Sequence, residues 1–337
     1  MKILYFILVS SIFLSCSSKH LAVVKQNGKF GAIDKKGTFV IEPKWDFILL
    51  DDKGKPALVE NSGLYGYINR KGEILINPKY NDGDLFSEGL ALVSNNEDKY
   101  GYINIEGDTV IDFQFEENAW GDFSKGLADV VYNEKSGYID KTGQFVISPQ
   151  FEICYPFRSD IAVVMDTAYN HKLIDMKGNL FDYNDENIGN RKIFPPKETY
   201  PGAFKTENGR GRLSEKGDTI IPPNYLSTGN LSNGMHIVQA KNEKWGAFDA
   251  KGNLVIEPQF DGMWHFYEGV SNFNLNNQYG FVNKKGEIVI EPKFDYASQF
   301  SNGLAYVELE GKAGFIDKNG IVVIPIIYEL NRGSRFE

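Results

Sequence analysis

One short sequence pattern recurs nine times along the chain, and this repetition constrains the fold more than any other feature. Each copy has a Gly after a bulky residue, an Ile-Asp or Ile-Asn step, a turn ending in Gly, and branched apolar residues leading to Pro and an aromatic. Two clear copies are Lys244–Phe260 and Gln278–Phe294. Self-similarity at a fixed period indicates an array of small, similar structural units.

Two glycines in each copy set the period and predict its turns. The first falls at Gly31, Gly66, Gly101, Gly137, Gly211, Gly246, Gly280 and Gly314, with neighbouring steps of 34 to 36 residues outside the gap between Gly137 and Gly211. The second occurs in all nine copies, as Gly37, Gly72, Gly107, Gly143, Gly178, Gly217, Gly252, Gly286 and Gly320. A tight hairpin needs φ > 0, which Gly adopts with little strain, so this second set is predicted to be structural turn residues.

Each unit is predicted to contain three short strands. They are a Gly-Leu-Ala-x-Val stretch, an aromatic-Gly-aromatic-Ile run and an Ile-Val-Ile-x-Pro run, separated by polar turns. Such alternation between turn residues is typical of strands and hairpins. The Gly inside the second strand indicates a close approach, and we expect a neighbouring aromatic ring to lie across it. The fold class is therefore all-β, with tandem three-stranded antiparallel units of about 35 residues.

Two arrangements of these units are considered, an open β superhelix or solenoid and a closed β-propeller. Propeller blades usually have four strands and about 40–45 residues. The chain starts with the first strand of a unit, Leu21–Val24, and ends with a third strand, Ile321–Ile327. Complete units at both ends favour the open superhelix, with the propeller as the alternative.

The pattern resembles the WG-repeat family, named for its Trp-Gly pair, over nearly all of residues 21–329. Trp245-Gly246 is the literal pair, whereas other copies substitute or depart from the Trp. The substitutes are Phe30, Tyr65, Tyr100 and Tyr279, and the departures are Ser136, Arg210 and Ala313. The resemblance implies an all-β repeat protein of bacteria with no established catalytic residues.

The N-terminal segment predicts a lipoprotein signal peptide at residues 1–15. Lys2 is followed by an apolar run, Ile3–Phe13, that is too short to span a bilayer. The Leu14-Ser15-Cys16 sequence resembles a bacterial lipobox, in which Cys16 carries the lipid. An ordinary signal peptide with an incidental Cys is the alternative. The residues after Cys16 resemble outer-membrane sorting signals, so we expect a lipid-anchored protein of the cell envelope.

The mature chain is divided by the quality of its repeats. A lipidated tether, 16–20, precedes good repeats one to four at 21–155 and a degenerate fifth repeat with an insertion at 156–209. In that fifth copy Lys172 replaces the first Gly. Repeats six to nine follow at 210–329, and residues 330–337 are expected to form a C-terminal tail.

Residues that commonly carry chemistry are not in productive spacings. The four His and two Cys form no recognisable metal-ligand pattern, so neither metal nor cofactor is expected. The Asp that ends the second strand exchanges with Asn between copies, which suits turn capping better than acid–base catalysis. Because no catalytic or metal-binding pattern is present, we expect no enzymatic activity.

The net charge of −9, without a basic stripe, argues against binding of nucleic acid.

Function is expected to lie in binding, because repeat arrays present extended surfaces. The leading hypothesis is a membrane-anchored scaffold that binds proteins of the cell envelope. The alternative is a polysaccharide-binding module that uses the connector aromatics Trp120 and Trp264, since exposed rings can stack on sugars or insert at interfaces.

Overall fold

The computed structural model describes residues 20–51, 53–117, 121–181, 203–214 and 218–336. Cys16, Trp120 and Gly217 lie outside these ranges. The described residues form nine small antiparallel sheets and contain no helix, hence none able to cross a membrane. The expected all-β repeat fold is confirmed.

Each repeat contributes a first, a second and a third strand in chain order. The first strands are β1 (Ala22–Gln26), β5 (Ala57–Asn61), β9 (Ala91–Ser94), β12 (Leu127–Tyr132), β16 (Ile161–Met165), β19 (Ala203–Thr206), β23 (Met235–Gln239), β27 (Val270–Leu275) and β31 (Ala305–Leu309). The second are β2 (Lys29–Ile33), β6 (Leu64–Ile68), β10 (Tyr100–Ile103), β13 (Lys135–Asp140), β17 (His171–Asp175), β20 (Gly209–Leu213), β24 (Trp245–Asp249), β28 (Gln278–Asn283) and β32 (Lys312–Ile316). The third are β3 (Phe39–Trp45), β7 (Ile74–Tyr80), β11 (Thr109–Phe115), β14 (Phe145–Phe151), β18 (Leu180–Phe181), β21 (Thr219–Tyr225), β25 (Leu254–Phe260), β29 (Ile288–Phe294) and β33 (Val322–Tyr328).

Six sheets also have a short leading strand, which the three-strand expectation missed. These strands are β4 (Phe47–Leu49), β8 (Asp82–Gly83), β15 (Ile153–Cys154), β22 (Ser227–Thr228), β26 (Gly262–Met263) and β30 (Tyr296–Ala297). Each follows the third strand of the preceding repeat after one residue and pairs with the first strand of its own repeat. The segment between the leading strand and the first strand is called the connector below.

The glycine inside the second strand is required by the crossing of the third strand. In repeat seven Trp245 pairs with Phe260 while Ala247 pairs with Ile256, so the third strand bulges between them. A Cβ on Gly246 would lie 2.3 Å from the carbonyl oxygen of Ile256. Main chain therefore covers this glycine. The aromatic ring that the sequence suggested lies there as well in two repeats, as Phe204 at Gly211 and Phe273 at Gly280. Pro suits the bulge because a bulged residue needs no amide in the ladder.

Neighbouring repeats pack through the turn glycine and a shared apolar core. Gly72 of repeat two lies on Ile41 of repeat one, and Gly252 of repeat seven lies on Ile220 of repeat six. Gly252 has φ +88°, and a Cβ there would lie 2.3 Å from the Ile220 carbonyl oxygen. The core clusters likewise combine successive repeats, as when Ala32 packs with Val59.

The first and last repeats meet in the way that successive repeats do. The turn glycine Gly37 of repeat one faces Ile324 of repeat nine, and a Cβ on Gly37 would lie 3.6 Å from the Ile324 side chain. The Glu329 amide donates to the carbonyl of Lys25 at 3.0 Å, as the Asp46 amide does to Glu60 at 3.0 Å between repeats one and two. One core cluster combines residues of both ends. The described contacts thus join repeat nine to repeat one.

The C-terminal segment completes this junction. Phe336 is 1% exposed and packs edge-on against Phe315 of repeat nine at 5.0 Å. Phe86 and Phe123 make the corresponding contacts, each from the connector of the repeat that follows, with Tyr67 at 4.8 Å and Tyr102 at 5.0 Å. The Ser334 hydroxyl also donates to the carbonyl of Val23 at 2.6 Å.

The sequence favoured an open superhelix, but the contacts between repeats one and nine show that the ends meet. The propeller-like alternative is therefore the better description. The physical reason lies in residues 330–336, taken from the sequence as part of a tail. They supply a connector Phe to repeat one, which has none among its described residues. Phe336 follows Tyr328 by eight positions, the spacing of Phe123 from Phe115, whereas Phe86 follows Tyr80 by six.

The turn glycines allow a paired stability test. Gly303→Ala should cost about 1 kcal/mol, because Gly303 has φ +85° but open space around it. Gly252→Ala should cost about 3 kcal/mol or more, because its Cβ also meets main chain of the neighbouring repeat. Denaturant unfolding measures both, and equal costs would contradict the stacking role of the turn.

The junction between the ends can be tested by truncating one ring. Phe336→Ala should destabilise the protein by about 3–5 kcal/mol, the usual cost of removing a buried Phe side chain. Ile327→Ala is the control, because Ile327 is 57% exposed and its loss should stay within about 0.5 kcal/mol. Hydrogen exchange in repeats one and nine should accelerate with Phe336→Ala; an effect no larger than that of the control would refute the closing role.

Candidate functional site

Third strands expose apolar side chains at a repeated position, which makes a belt around the array. The third strand lies at an edge of every sheet. In β7, β11, β14, β29 and β33 the first two residues are exposed and the next one is buried. The apolar belt consists of Ile74, Leu75, Val110, Phe145, Val146, Leu254, Ile288, Val289, Val322 and Val323. Exposed apolar side chains beside an unpaired strand edge suit contacts with a partner chain.

A second surface feature is a column of stacked side chains between repeats eight and nine. The Trp264 indole stacks on Tyr279, with ring centroids 5.4 Å apart and planes at 29°. Tyr279 contacts Tyr296 at 5.4 Å and 54°. The Arg332 guanidinium lies 4.9 Å from the centre of the Tyr296 ring. This aromatic column therefore consists of Trp264, Tyr279, Tyr296 and Arg332.

Local sequence explains how Trp264 reaches the column. Gly262, Asn274 and Tyr279 lie in one row across the sheet. A Cβ on Gly262 would lie 3.0 Å from Cη2 of Trp264, so the bare glycine leaves room for the indole. The Trp264 amide donates to the carbonyl of Asn272 at 3.2 Å, and the Ser271 hydroxyl donates to the Trp264 carbonyl at 2.5 Å. These bonds hold the main chain that carries the ring.

The other end of the column is held by an ion pair. Arg332 donates through Nε and Nη2 to the Glu308 carboxylate at 3.1–3.2 Å. Glu308 is 2% exposed and also accepts a hydrogen bond from the Tyr306 hydroxyl at 3.0 Å. Hydrogen bonding to Glu308 and the charge of this carboxylate raise the pKa of Arg332. The guanidinium is therefore a fixed positive cap on Tyr296.

Of the residues predicted to bind a ligand or carry lipid, one belongs to the aromatic column and the others lie outside the described residues. Trp264 lies in a connector, outside the core, and is 42% exposed. Trp120 and Cys16 lie outside the described residues. Sequence reasoning missed Tyr279 and Tyr296 as partners of Trp264. Their signal in the sequence is weak, because Tyr279 occupies the Trp position of the repeat and so does not differ from the other copies.

The repeated acidic position serves the turn that follows it. Oδ1 of Asp249 accepts hydrogen bonds from the amides of Lys251 and Asn253, both at 2.9 Å. The side-chain and main-chain hydrogen bonds from Asn253 lower the pKa of Asp249. Asn283 caps its turn with the same pair of bonds, at 2.9 and 3.1 Å. Asp and Asn are thus interchangeable here because each supplies one acceptor oxygen.

Other groups with chemical potential are buried or dispersed. Cys154 is 1% exposed, and its burial, with the charge of Asp129, raises the thiol pKa. Burial and the charges of Asp122 and Asp82 raise the pKa of Asp84 to about 6. Within the described ranges, no three His, Cys, Asp or Glu side chains are grouped to hold a metal ion.

Comparisons with solved structures find distant likenesses. BamB from Moraxella catarrhalis is 12% identical with TM-score 0.33, covering 89% of this chain and 88% of that one. Apo AztD from Citrobacter koseri is 12% identical with TM-score 0.34, covering 93% and 96%. Hsv2 from Kluyveromyces lactis is 9% identical with TM-score 0.32, covering 80% and 92%. At TM-scores this low the likenesses carry no functional argument. No curated protein matches the chain.

The family comparison is direct. The model of the WG containing repeat matches residues 30–65, 65–99, 100–135, 137–166, 213–245, 245–279 and 279–312. These matches extend over more than half of the chain and follow the register of the strands. The chain therefore belongs to the family of proteins built from the WG containing repeat.

Proposed function

We propose that this protein is a non-enzymatic binding scaffold of the cell envelope, anchored by lipid on Cys16, whose apolar belt binds protein partners. The observation that carries the proposal is the recurrence of exposed apolar side chains at the start of the edge strands β7, β11, β14, β25, β29 and β33, as pairs on β7, β14, β29 and β33. A single exposed Ile or Val needs no explanation, whereas a periodic set beside free strand edges supports a binding role.

The belt suits extended, partly apolar partner segments. In β29 the exposed Ile288 and Val289 precede the exposed charges Glu291 and Lys293. An edge strand offers main-chain hydrogen bonds to such a segment, and the side chains add selectivity. Because the same edge recurs in successive repeats, several weak contacts to one partner can combine into strong binding.

The proposed anchor places one part of the array next to the membrane. Leu21 is fully buried and lies five positions after Cys16, which limits the tether to about 18 Å when extended. Repeats one and nine meet at this point, so their junction is held closest to the lipid.

Hydrolase turnover that one carboxylate substitution abolishes would contradict the non-enzymatic part of the proposal.

The belt can be tested by making it polar in two neighbouring repeats. A variant with Ile288, Val289, Val322 and Val323 each changed to Ser should lose the proteins that crosslink to the native chain in the envelope. Its free energy of unfolding should change little per site, within about 0.5 kcal/mol, because these side chains are exposed.

The matched control changes polar residues of the same edge, Glu291→Ser with Lys293→Ser. Mass spectrometry identifies the captured proteins for each variant. If the belt variant captures the same set as the native chain, the apolar belt is not the binding surface.

The anchor is tested by Cys16→Ala. The variant should lose the mass of the lipid and move from the membrane fraction to the soluble fraction or remain as unprocessed precursor. Cys154→Ala serves as the control, because this buried thiol has no part in anchoring. Unchanged mass and fractionation of Cys16→Ala would contradict the lipoprotein assignment.

A further inference from the structure

We propose that the exposed face of Trp264, at the free end of the aromatic column, binds a neutral pyranose ring of an envelope polysaccharide. This site lies in a connector and the adjoining sheet interface, whereas the apolar belt lies on third strands. Sugar binding at Trp264 can therefore be tested independently of protein binding at the apolar belt.

The column is occupied at one end and free at the other. Tyr279 lies between Trp264 and Tyr296, and Tyr296 lies between Tyr279 and Arg332. Within the described chain, Trp264 has a ring partner on one side alone and is 42% exposed. A further group can extend the stack at this end. The face of a pyranose, rich in C–H groups, is suited to a large aromatic ring.

Hydrogen-bonding groups of the column and of the row beneath it are free to bind a ligand. The Asn274 side chain and the hydroxyls of Tyr279 and Tyr296, the next two rings of the column, make no hydrogen bond to any part of the chain that the structure describes. Asn274 pairs with Gly262 on one side and with Tyr279 on the other, so it lies in the row beneath the indole. An amide and two phenols can donate to and accept from sugar hydroxyls. An apolar ring face with a polar side chain in the adjoining row, here Asn274, is a combination found in small-molecule sites.

The charge at the column favours a neutral sugar. Arg332 is already paired with the buried Glu308 through two hydrogen-bonding nitrogens. Lys244 and Asp261, near the start of the connector, are likewise paired with each other. Because these charges are compensated, neither a carboxylate nor an ammonium on the ligand is needed.

The site is also preorganised. Trp264 is held by stacking on Tyr279 and by main-chain hydrogen bonds on both sides of its peptide. A fixed ring loses little conformational entropy on binding, so even a single stacking contact contributes usefully to affinity.

The experiment uses the full-length lipidated protein in detergent on an array of neutral hexose and N-acetylhexosamine oligosaccharides. Bound members are then titrated in solution. Trp264→Ala should weaken binding about tenfold, and Trp264→Phe should lose less, because a smaller ring retains part of the stack. Asn274→Ala should also weaken binding while leaving the ring in place.

Tyr267→Ala is the matched control, since Tyr267 is 37% exposed, follows Trp264 by three positions and should leave affinity unchanged. Absence of binding by the native protein to every neutral oligosaccharide, or equal affinity of Trp264→Ala, overturns the inference. Loss of a protein partner, without loss of a sugar, in Trp264→Ala would likewise assign the ring to a protein interface.

Discussion

The crossing of the third strand over a bare glycine of the second strand is the contact on which the rest of the architecture depends. Ile256 and Pro258 pass so close to Gly246 that no side chain could stand between them. The bulge that results lets Trp245 meet Phe260 at one end while Ala247 meets Ile256 at the other. Eight of the nine sheets have this bulge, and only repeat five, in which Lys172 replaces the glycine, pairs its described second and third strands without it. The similarly bent sheets can stack in series.

Stacking of similar sheets leaves two kinds of surface. In strands such as β7 and β29 the core takes the third residue, and the two preceding apolar residues remain exposed on a free edge. Connectors differ more than strands do: a buried Phe recurs in them as Phe86, Phe157, Phe266 and Phe300, whereas the connectors of repeats two and seven contain no Phe. The column at Trp264 arises in such a connector, where Gly262 and Tyr279 make room for a ring and a partner for it.

The junction of repeats nine and one shows how an imperfect repeat can complete another. Repeat one has no connector of its own within the described chain, and Phe336 fills the place that Phe86 or Phe123 fills elsewhere. The buried Glu308 and its partner Arg332 belong to the same junction. Its residues therefore contribute both to closure and to the base of the aromatic column.

Sequence alone determined the repeat, the all-β class, the turn glycines and the capping role of the Asp or Asn position. These features depend on local conformation, such as the positive φ at Gly252. The residues that adopt such conformations recur at a fixed spacing, so the sequence alone is enough to identify them. Sequence also separated Trp264 from the core, because it falls outside the repeated positions.

Tertiary structure alone decided that the ends meet and that Trp264, Tyr279 and Tyr296 share one column. Ser334 and Val23 lie more than 300 positions apart, and no local preference of either residue reports their proximity. The same holds for Arg332 over Tyr296, which follows from how two sheets and a terminal segment pack together. Contacts between repeats depend on the geometry with which the sheets stack. No single copy of the repeated sequence specifies that geometry, because it results from all the copies together.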